Sequence, residues 1–330
     1  MAYQFESVKL DKGMYRCDGK SFSQMLEQMD PSAQYKGTEM EGLDAFQRQL
    51  KRFDIKVKGP DSDCVEKFFR TADSAVLFPE YISRCVHQGM EETNILPNIV
   101  ATVTRIDSLD YRSISVNTNQ YGDIFLLEEG AEIPTVTITT DSQLTSLKKR
   151  GSMLVASYEV IRNQKLDIFS ITLRQLGASI VRAQLGDAVE ALKQDACWVD
   201  AETHGVLTYS DLLNMWGAMR NCQLNTLLVS TDMLPKILSL PEILNSNTGF
   251  DFQTTGKMIT PMGATLLTSS VMPNGTIIGL DKRYAMEMVE SGGVIVEYDK
   301  LIDRQLERCA ITATAGFARL MRGAVCMLRM

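Results

Sequence analysis

DIFSITLRQLGASIVRAQLGDAVEALK, residues 167–193, is the longest helical pattern in this chain of 330 residues. Its apolar side chains recur at helical spacing in two neighbouring stripes: Leu173, Leu176, Ile180 and Ala183, then Val181, Leu185, Ala188 and Leu192. Asp167 is a suitable N-cap, so the pattern predicts a helix over about 168–193, roughly 39 Å long at ~1.5 Å per residue. Gly177 and Gly186 each weaken it by roughly 1 kcal/mol relative to alanine, and we therefore expect packing to stabilise it.

On the N-terminal side of this helix the pattern changes to the alternation typical of β-strands. Residues 111–118 and 135–140 alternate apolar and polar side chains, and turn-forming and acidic residues separate them. A third strand is predicted at 152–157 and a fourth at 98–104. A two-stranded hairpin cannot bury much apolar surface alone, so we expect the hairpin to need another surface to lie on.

Two charged clusters flank this hairpin, one acidic (Glu128, Glu129 and Glu132) and one basic (Lys148, Lys149 and Arg150). Two of the glutamates could act as the acid and base of a glycosidase, but that chemistry needs a concave, walled site. On a thin hairpin, solvated side chains or contacts between subunits fit better. The basic run is either a solvated turn before the strand at 152–157 or an electrostatic partner for the acidic cluster of a neighbouring copy.

After the long helix, strands and helices mix. The sequence Thr208-Tyr209-Ser210-Asp211 has the form of a capping box that opens a helix. Further strands are predicted at 224–230, 264–268, 276–279, 293–297, 310–314 and 324–328, with helices at 231–240 and near 284–290. We find no repeated βαβ unit, and the pattern therefore predicts an α+β fold.

The N-terminal segment differs from the rest in its charge. Residues 1–70 carry 12 acidic and 12 basic residues, while residues 71–330 carry 29 acidic and 22 basic residues and so hold the whole net charge of −7. Short helices are predicted at 21–29, across 43–53 and at 65–69, joined by turns that contain proline and glycine. Such helices could lie along a neighbouring subunit as easily as fold on themselves.

The composition excludes several classes of protein. With 45% hydrophobic and 23% charged residues the chain is typical of globular proteins, and the acidic balance argues against a dedicated nucleic-acid binder. The sequence shows neither an apolar run of membrane-spanning length nor a signal-peptide pattern, so we expect a chain that is neither membrane-spanning nor secreted. The seven cysteines contain no C-x-x-C pair, and we expect reduced, mostly buried thiols.

The sequence contains few residues or motifs that are typical of an enzyme active site. It has two histidines, His87 and His204, outside any zinc-binding spacing, and it lacks the glycine-rich phosphate loops and the G-x-S-x-G motif. No cofactor or metal follows from these residues. The enzyme alternative that stays open is a site assembled from distant residues, such as Cys85, His204 and the glutamates at 128–132.

Four segments carry a resemblance to a known family: AVLFPEYI (75–82), EEGAEIP (128–134), GKMITPMG (256–263) and VMPNGTIIGLDK (271–282). Taken with the order of elements, they make residues 75–330 similar to the major capsid proteins of tailed bacteriophages, which have the Hong Kong 97-like fold. The resemblance implies an N-terminal arm or short scaffold-like segment (1–75), an extended loop (106–151), a peripheral domain (76–105, 152–204 and 303–330) with the long helix as its spine, and an axial domain (205–302).

The resemblance also implies a function. Copies would assemble into hexamers and pentamers of an icosahedral shell around double-stranded DNA, with the extended loop of one subunit over the peripheral domain of the next. Portal, scaffold or decoration proteins would be further partners, DNA would be contacted without sequence preference, and assembly would take place in the bacterial cytoplasm. The nearest alternative is an encapsulin-like compartment that houses a cargo enzyme.

Two family properties depend on features of this sequence. Some relatives cross-link through a lysine near the tip of the extended loop, but this chain has no lysine between Arg105 and Lys148, so we expect no such cross-link. Some relatives lose a longer N-terminal scaffold domain to a protease. Here the segment is shorter and its charges balance, and we expect it to be retained.

Overall fold

A computed structural model describes the chain over residues 4–16, 20–108, 110–115, 129, 139–140, 144–194, 196–219, 222–244, 260 and 262–330. Its helices are α1 (Phe22–Met29), α2 (Ala45–Arg52), α3 (Ala72–Val76), α4 (Phe78–Thr93), α5 (Tyr158–Asn163), α6 (Leu166–Lys193), α7 (Tyr209–Ala218), α8 (Met233–Leu238) and α9 (Pro241–Leu244).

The strands are β1 (Thr102–Ile106), β2 (Ile114–Ser115), β3 (Thr139–Thr140), β4 (Leu147–Ser157), β5 (Cys197–Asp200), β6 (Thr226–Ser230), β7 (Thr265–Ser269), β8 (Thr276–Leu280), β9 (Met286–Leu301), β10 (Leu306–Arg319) and β11 (Val325–Arg329). They form sheets in the orders β1-β9-β10-β4, β5-β11-β8-β6-β7 and β2-β3.

The chain divides into two compact units. Unit 1 contains Met1–Thr93, Gly151–Ile180 and Val294–Ala313, and unit 2 contains Asn94–Arg150, Val181–Gly293 and Thr314–Met330. The predicted long helix is confirmed as α6; its residues up to Ile180 belong to unit 1 and the rest to unit 2.

The core of unit 1 includes the N-terminal segment. Phe22 and Leu26 of α1 and Phe46 of α2 lie in the same buried cluster as Phe78 of α4 and Leu173 of α6. The helices α1, α2 and α3 each begin with a capping box, at Ser21, Asp44 and Thr71. Of the two arrangements that the sequence left open, the structure shows this segment folded onto its own chain.

Unit 2 is built around the five-stranded sheet, whose inner strands β11, β8 and β6 are buried on both faces. Leu228, Ile278 and Met327 face the cluster that contains Leu185 and Leu192 of α6, while their chain neighbours Leu227, Ile277 and Leu328 face the cluster of α7. Burial on both sides explains why these strands read as continuous apolar runs. The predicted capping box is confirmed, because the Thr208 hydroxyl accepts the Asp211 N–H at the start of α7.

Two predicted elements differ from the structure. The helix predicted near 284–290 is wrong: β9 begins at Met286 and pairs in parallel with β1, so that Glu287 lies opposite Thr102. Met286, Met288 and Val289 are all buried, and this double-sided burial hides the strand alternation. The strand predicted at 98–104 begins only at Thr102, after a turn of 3-10 helix over Leu96–Asn98.

The predicted hairpin is partly described. β2 pairs antiparallel with β3, Ile114 lying opposite Thr140 and Ser115 opposite Thr139, and this confirms the pairing of the two alternating stretches at that point. Residues 116–118 and 135–138, Glu128, Glu132 and most of the segment 256–263 lie outside the described residues.

Candidate functional site at the root of the extended loop

The described ends of the segment between β1 and β4 meet β9 within unit 2. We call this site the loop root, formed by Thr104, Tyr111, Ser113, Thr145 and Glu287. The carboxylate of Glu287, on β9, accepts hydrogen bonds from the hydroxyls of Thr104, Tyr111 (2.7 Å) and Ser113 (2.7 Å). Glu287 is buried, and a buried carboxylate is stable only with such donors. The outgoing limb of the loop, which contains Tyr111 and Ser113, is therefore hydrogen-bonded to β9.

The returning limb of the loop, which contains Thr145, Ser146 and Leu147, contacts the outgoing limb and β10. The Thr145 N–H donates to the carbonyl of Tyr111 at 2.8 Å. Gly316 of β10 allows the close approach of the returning limb, because a Cβ there would lie 2.7 Å from Cδ2 of Leu147 and 2.9 Å from the carbonyl oxygen of Ser146. Both limbs are thus held within unit 2.

The protonation of Tyr111 keeps the loop root intact. Burial raises the pKa of the Tyr111 hydroxyl, and its hydrogen bond to Glu287 raises the pKa further. Tyr111 therefore remains a donor at neutral pH. Sequence reasoning missed this site, because Glu287 lies 174 to 183 residues from its three donors and no local motif links them.

The predicted basic run lies in β4, and two of its side chains bind a carboxylate of α6. Lys148 Nζ donates to Asp187 Oδ1 at 2.9 Å. Arg150 binds both carboxylate oxygens, with Nη2 at 2.6 Å from Oδ1 and Nε at 3.0 Å from Oδ2. Burial alone would raise the pKa of Asp187, but the hydrogen bonds from Arg150 and Lys148 outweigh burial and hold that pKa below its ordinary range. The solvated-turn interpretation is therefore wrong for Lys148 and Arg150.

Lys149 and Glu129 stay candidates for contacts between subunits. Alternation along β4 places Lys149 on the opposite face from Lys148 and Arg150, and both Lys149 and Glu129 are exposed. Glu128 and Glu132 lie outside the described residues. The predicted pairing of this acidic cluster with the basic run of a neighbouring copy stays a prediction.

A second surface belongs to the part of the four-stranded sheet that lies in unit 1, and we call it the outer face of the unit 1 sheet. It is defined by Met153 and Val155 of β4 and Ile295 of β9. Their chain neighbours, among them Leu154 and Val294, pack on the core of unit 1. Strand alternation turns the three defining side chains to the other face, where they are 54%, 51% and 46% exposed. Met153 and Val155 lie on the same face of β4, and β10 separates that strand from β9 and Ile295. Exposed apolar side chains grouped on one face of a sheet are typical of an interaction surface.

Among the described residues of the assembled-enzyme alternative, Cys85 and His204 do not have catalytic surroundings. Cys85 is buried in unit 1, and burial raises the pKa of its thiol to about 11, whereas a nucleophilic cysteine needs a lowered pKa. His204 lies in an exposed turn of unit 2. Over the described part of the chain, no group of three or more metal-ligating side chains occurs, and no helix is both long and apolar enough for a membrane span.

Sequence and structure comparisons identify similar proteins. The model of the family described as phage capsid protein matches residues 140–316, more than half of the chain. No curated protein sequence matches the chain.

Among solved structures, the capsid of the native GTA particle is 14% identical, with 71% of this chain and 89% of that chain covered and a TM-score of 0.57. The capsid of the cyanophage P-SCSP1u is 13% identical, with 72% and 88% covered and a TM-score of 0.53. The holo-SrpI encapsulin complex from Synechococcus elongatus PCC 7942 is 14% identical, with 71% and 86% covered and a TM-score of 0.52. These likenesses show a shared fold.

Proposed function

The chain belongs to the phage capsid protein family, and we propose that it builds the icosahedral shell that encloses the double-stranded DNA of a tailed bacteriophage or prophage. The α+β, Hong Kong 97-like fold expected from the sequence is confirmed, and the chain is a capsid shell protein. The observation that carries the proposal is the family match over 140–316, which includes β4, all of α6 and the returning limb of the extended loop.

The proposed shell is made of hexamers and pentamers of this chain. In each of them, the extended loop (106–151) of one subunit lies on the peripheral domain (76–105, 152–204 and 303–330) of the next, and the axial domains (205–302) surround the centre of the capsomer. The loop root supports this arrangement, because a loop held firmly at both limbs places its distant residues reproducibly on a neighbour.

The outer face of the unit 1 sheet is the proposed landing surface for that loop. Met153 and Val155, both within the proposed peripheral domain, offer apolar area there. The alternating segments 111–118 and 135–140 could cover that area with their own apolar side chains, which a two-stranded hairpin cannot bury alone. Lys149 and the acidic residues Glu128, Glu129 and Glu132 supply the charges of the contact.

The N-terminal segment is proposed to stay in the finished shell. Phe22, Leu26 and Phe46 share one core with Phe78, so cleavage after residue 75 and loss of the segment would expose Phe78 and the apolar side chains around it. A segment that completes a core differs from a scaffold, which must leave without disturbing the shell.

Further partners follow from the proposed role. A portal protein fills one vertex, and scaffold or decoration proteins assist assembly in the bacterial cytoplasm before the virion is released. The packaged DNA is contacted without sequence preference, which agrees with a net charge of −7.

The proposal is tested by expressing the full chain, with and without its co-encoded assembly proteins, and examining the product by electron microscopy and light scattering. We expect closed shells or capsomers from the wild type. Val155→Asp should prevent assembly while circular dichroism stays unchanged, because the side chain is exposed; Val155→Thr, which keeps the branched shape, should assemble. A chain that stays monomeric under every condition, with no effect of either substitution, contradicts the proposal.

An encapsulin-like compartment is the second candidate, since the SrpI encapsulin shares the fold over a similar share of the chain. Particles purified from cells that carry the natural gene separate the two functions. Nuclease-resistant double-stranded DNA inside the particles supports the phage capsid, whereas a co-purifying cargo enzyme without DNA supports the compartment.

A further inference from the structure

Two cysteines of unit 2 stand side by side on neighbouring strands. β5 pairs in parallel with β11, and the register places Cys197 directly opposite Cys326. Neighbouring strands lie about 4.8 Å apart, within the range of about 4.4–6.8 Å between Cα atoms that a disulfide needs. We propose that Cys197 and Cys326 form a reversible intramolecular disulfide when the folded chain meets a small-molecule disulfide such as oxidised glutathione.

The contacts of the two strands show that both cysteine side chains point to the same face. Val199 of β5 and Leu328 of β11 pack in the cluster of α7 together with Cys326. On the other face, the Arg329 guanidinium lies 5.8 Å from the centre of the Trp198 ring and 3.1 Å from an oxygen of Asp200. The register and the alternation therefore place Cys197 and Cys326 side by side on the same face of the sheet.

The two thiols differ in access, and this difference assigns their roles. Cys197 is exposed at the start of an edge strand, while Cys326 is buried on the neighbouring strand. Burial and the neighbouring Cys197 together raise the pKa of the Cys326 thiol to about 12. Cys197 is thus the thiol that meets the oxidant, and Cys326 is the resolving thiol.

The chemistry is two successive thiol–disulfide exchanges. The Cys197 thiolate attacks one sulfur of oxidised glutathione, the bond between the two glutathione sulfurs breaks, and one glutathione thiolate leaves. Cys326 then loses its proton and attacks Sγ of Cys197, which expels the second glutathione thiolate. Two protein thiols are oxidised to one disulfide, and one oxidised glutathione is reduced to two glutathione molecules.

The bond would fasten an edge strand. β5 is hydrogen-bonded to β11 alone in the order β5-β11-β8-β6-β7, so a covalent link to β11 prevents it from separating. The inference does not depend on the proposed function. A capsid moves from a reducing cytoplasm to an oxidising exterior when it is released, so the disulfide would form after assembly.

The experiment treats the purified, unassembled full chain with oxidised glutathione and maps disulfides by mass spectrometry after blocking the remaining thiols. We expect a peptide containing Cys197 linked to one containing Cys326, a loss of two hydrogen atoms in the intact mass, and reversal by dithiothreitol. The rate of closure should rise about tenfold per pH unit from pH 7 to 9, because Cys326 must deprotonate. The unfolding temperature should be higher in the oxidised chain.

Substitutions separate the roles. Cys326→Ala should leave a lasting glutathione adduct on Cys197, Cys197→Ser should leave Cys326 reduced, and Cys309→Ala, at a buried cysteine of unit 1, should form the disulfide as the wild type does. The proposal is overturned if the wild type keeps a glutathione adduct on Cys197 while Cys326 remains open to the blocking reagent, or if neither cysteine reacts.

Discussion

At the scale of single residues, Arg48 shows how the N-terminal segment is held together. The side chain is fully buried, and its Nε and Nη2 donate to the carboxylate and the carbonyl of Asp30, both at 2.6 Å. Nη1 donates to Ser32 and to the carbonyl of Leu43, and the guanidinium lies 4.3 Å from the centre of the Tyr35 ring. This buried charge is compensated by specific partners in the same segment.

Arg48→Met should therefore lower the free energy of unfolding by about 3–5 kcal/mol, because it leaves the carboxylate of Asp30 buried without its cation. Unfolding of the unassembled chain in guanidinium chloride measures this change in free energy. The matched control is Arg162→Met: Arg162 lies 3.7 Å from Glu66 in an exposed pair, and the change should stay within about 0.5 kcal/mol. Equal effects of the two substitutions would refute the structural role of Arg48.

Asp187 makes the stability of unit 2 depend on pH. Its pKa in the folded chain lies below the ordinary value of 3.8, so its contribution is fully present above that pH and is lost as the pH falls through the folded pKa. Asp187→Asn should therefore cost more stability at pH 7 than at pH 3, as measured by thermal unfolding. Asp303→Asn, at an exposed site, should cost little at either pH. A loss for Asp187→Asn that is the same at both pH values would contradict the ion pair.

At the scale of elements, glycines decide how closely α4 and α6 pack. A Cβ at Gly177 would lie 2.2 Å from the carbonyl oxygen of Val86, and a Cβ at Gly89 would lie 2.1 Å from that of Arg174. The two glycines therefore allow backbone contact between the helices in unit 1. Contact of this kind compensates for the low helix propensity expected from Gly177.

Gly177→Ala should destabilise the chain by about 1–3 kcal/mol, since the backbones must separate although alanine favours the helix. Gly217→Ala in α7 is the control, because a Cβ there has no atom within 4 Å; it should stabilise by about 1 kcal/mol. Chemical denaturation of both variants gives the two values. If Gly177→Ala stabilises as Gly217→Ala does, the close packing of the helices is wrong.

The loop root makes a separate prediction for the extended loop. Glu287→Gln replaces the carboxylate that accepts hydrogen bonds from three hydroxyls. The change should lower the free energy of unfolding by about 1–3 kcal/mol. It should also speed hydrogen exchange and proteolysis across 107–150. Glu290→Gln, in the same strand, affects only the exposed pair with Arg105 and should leave exchange in that segment unchanged. Faster exchange spread evenly over both units would count against a local tie.

At the scale of the whole molecule, the charges of the extended loop should act between copies. Lys149→Glu or Glu129→Lys alone should lower the yield of assembled particles, and the double substitution should restore it, because the reversed pair is again complementary. Light scattering at low and high salt measures the yield, and the difference between single and double variants should shrink as salt screens the charges. A double variant that assembles no better than the single ones would exclude this pairing.

Much of the secondary structure could be predicted because its signals are local. Helical periodicity indicated α6, although the predicted N-cap Asp167 lies inside its first turn. The capping box indicated the start of α7, and continuous apolar runs indicated β6 and β8. The prediction failed for β9, where residues buried on both sides of a strand resemble the apolar face of a helix. Burial on both faces depends on other segments, so the sequence near 284–290 could not decide between the two.

The sequence by itself determined the α+β class, the long glycine-interrupted helix, the hairpin before it and the lack of local catalytic motifs, because each depends on residue types at short spacing. Only the tertiary structure decided that the N-terminal segment completes the core of unit 1, that Asp187 binds Lys148 and Arg150, and that Glu287 ties the loop root. These contacts join residues far apart in the chain, and many carboxylates compete for each partner. Which one is buried beside which donor is fixed by the packing of whole elements.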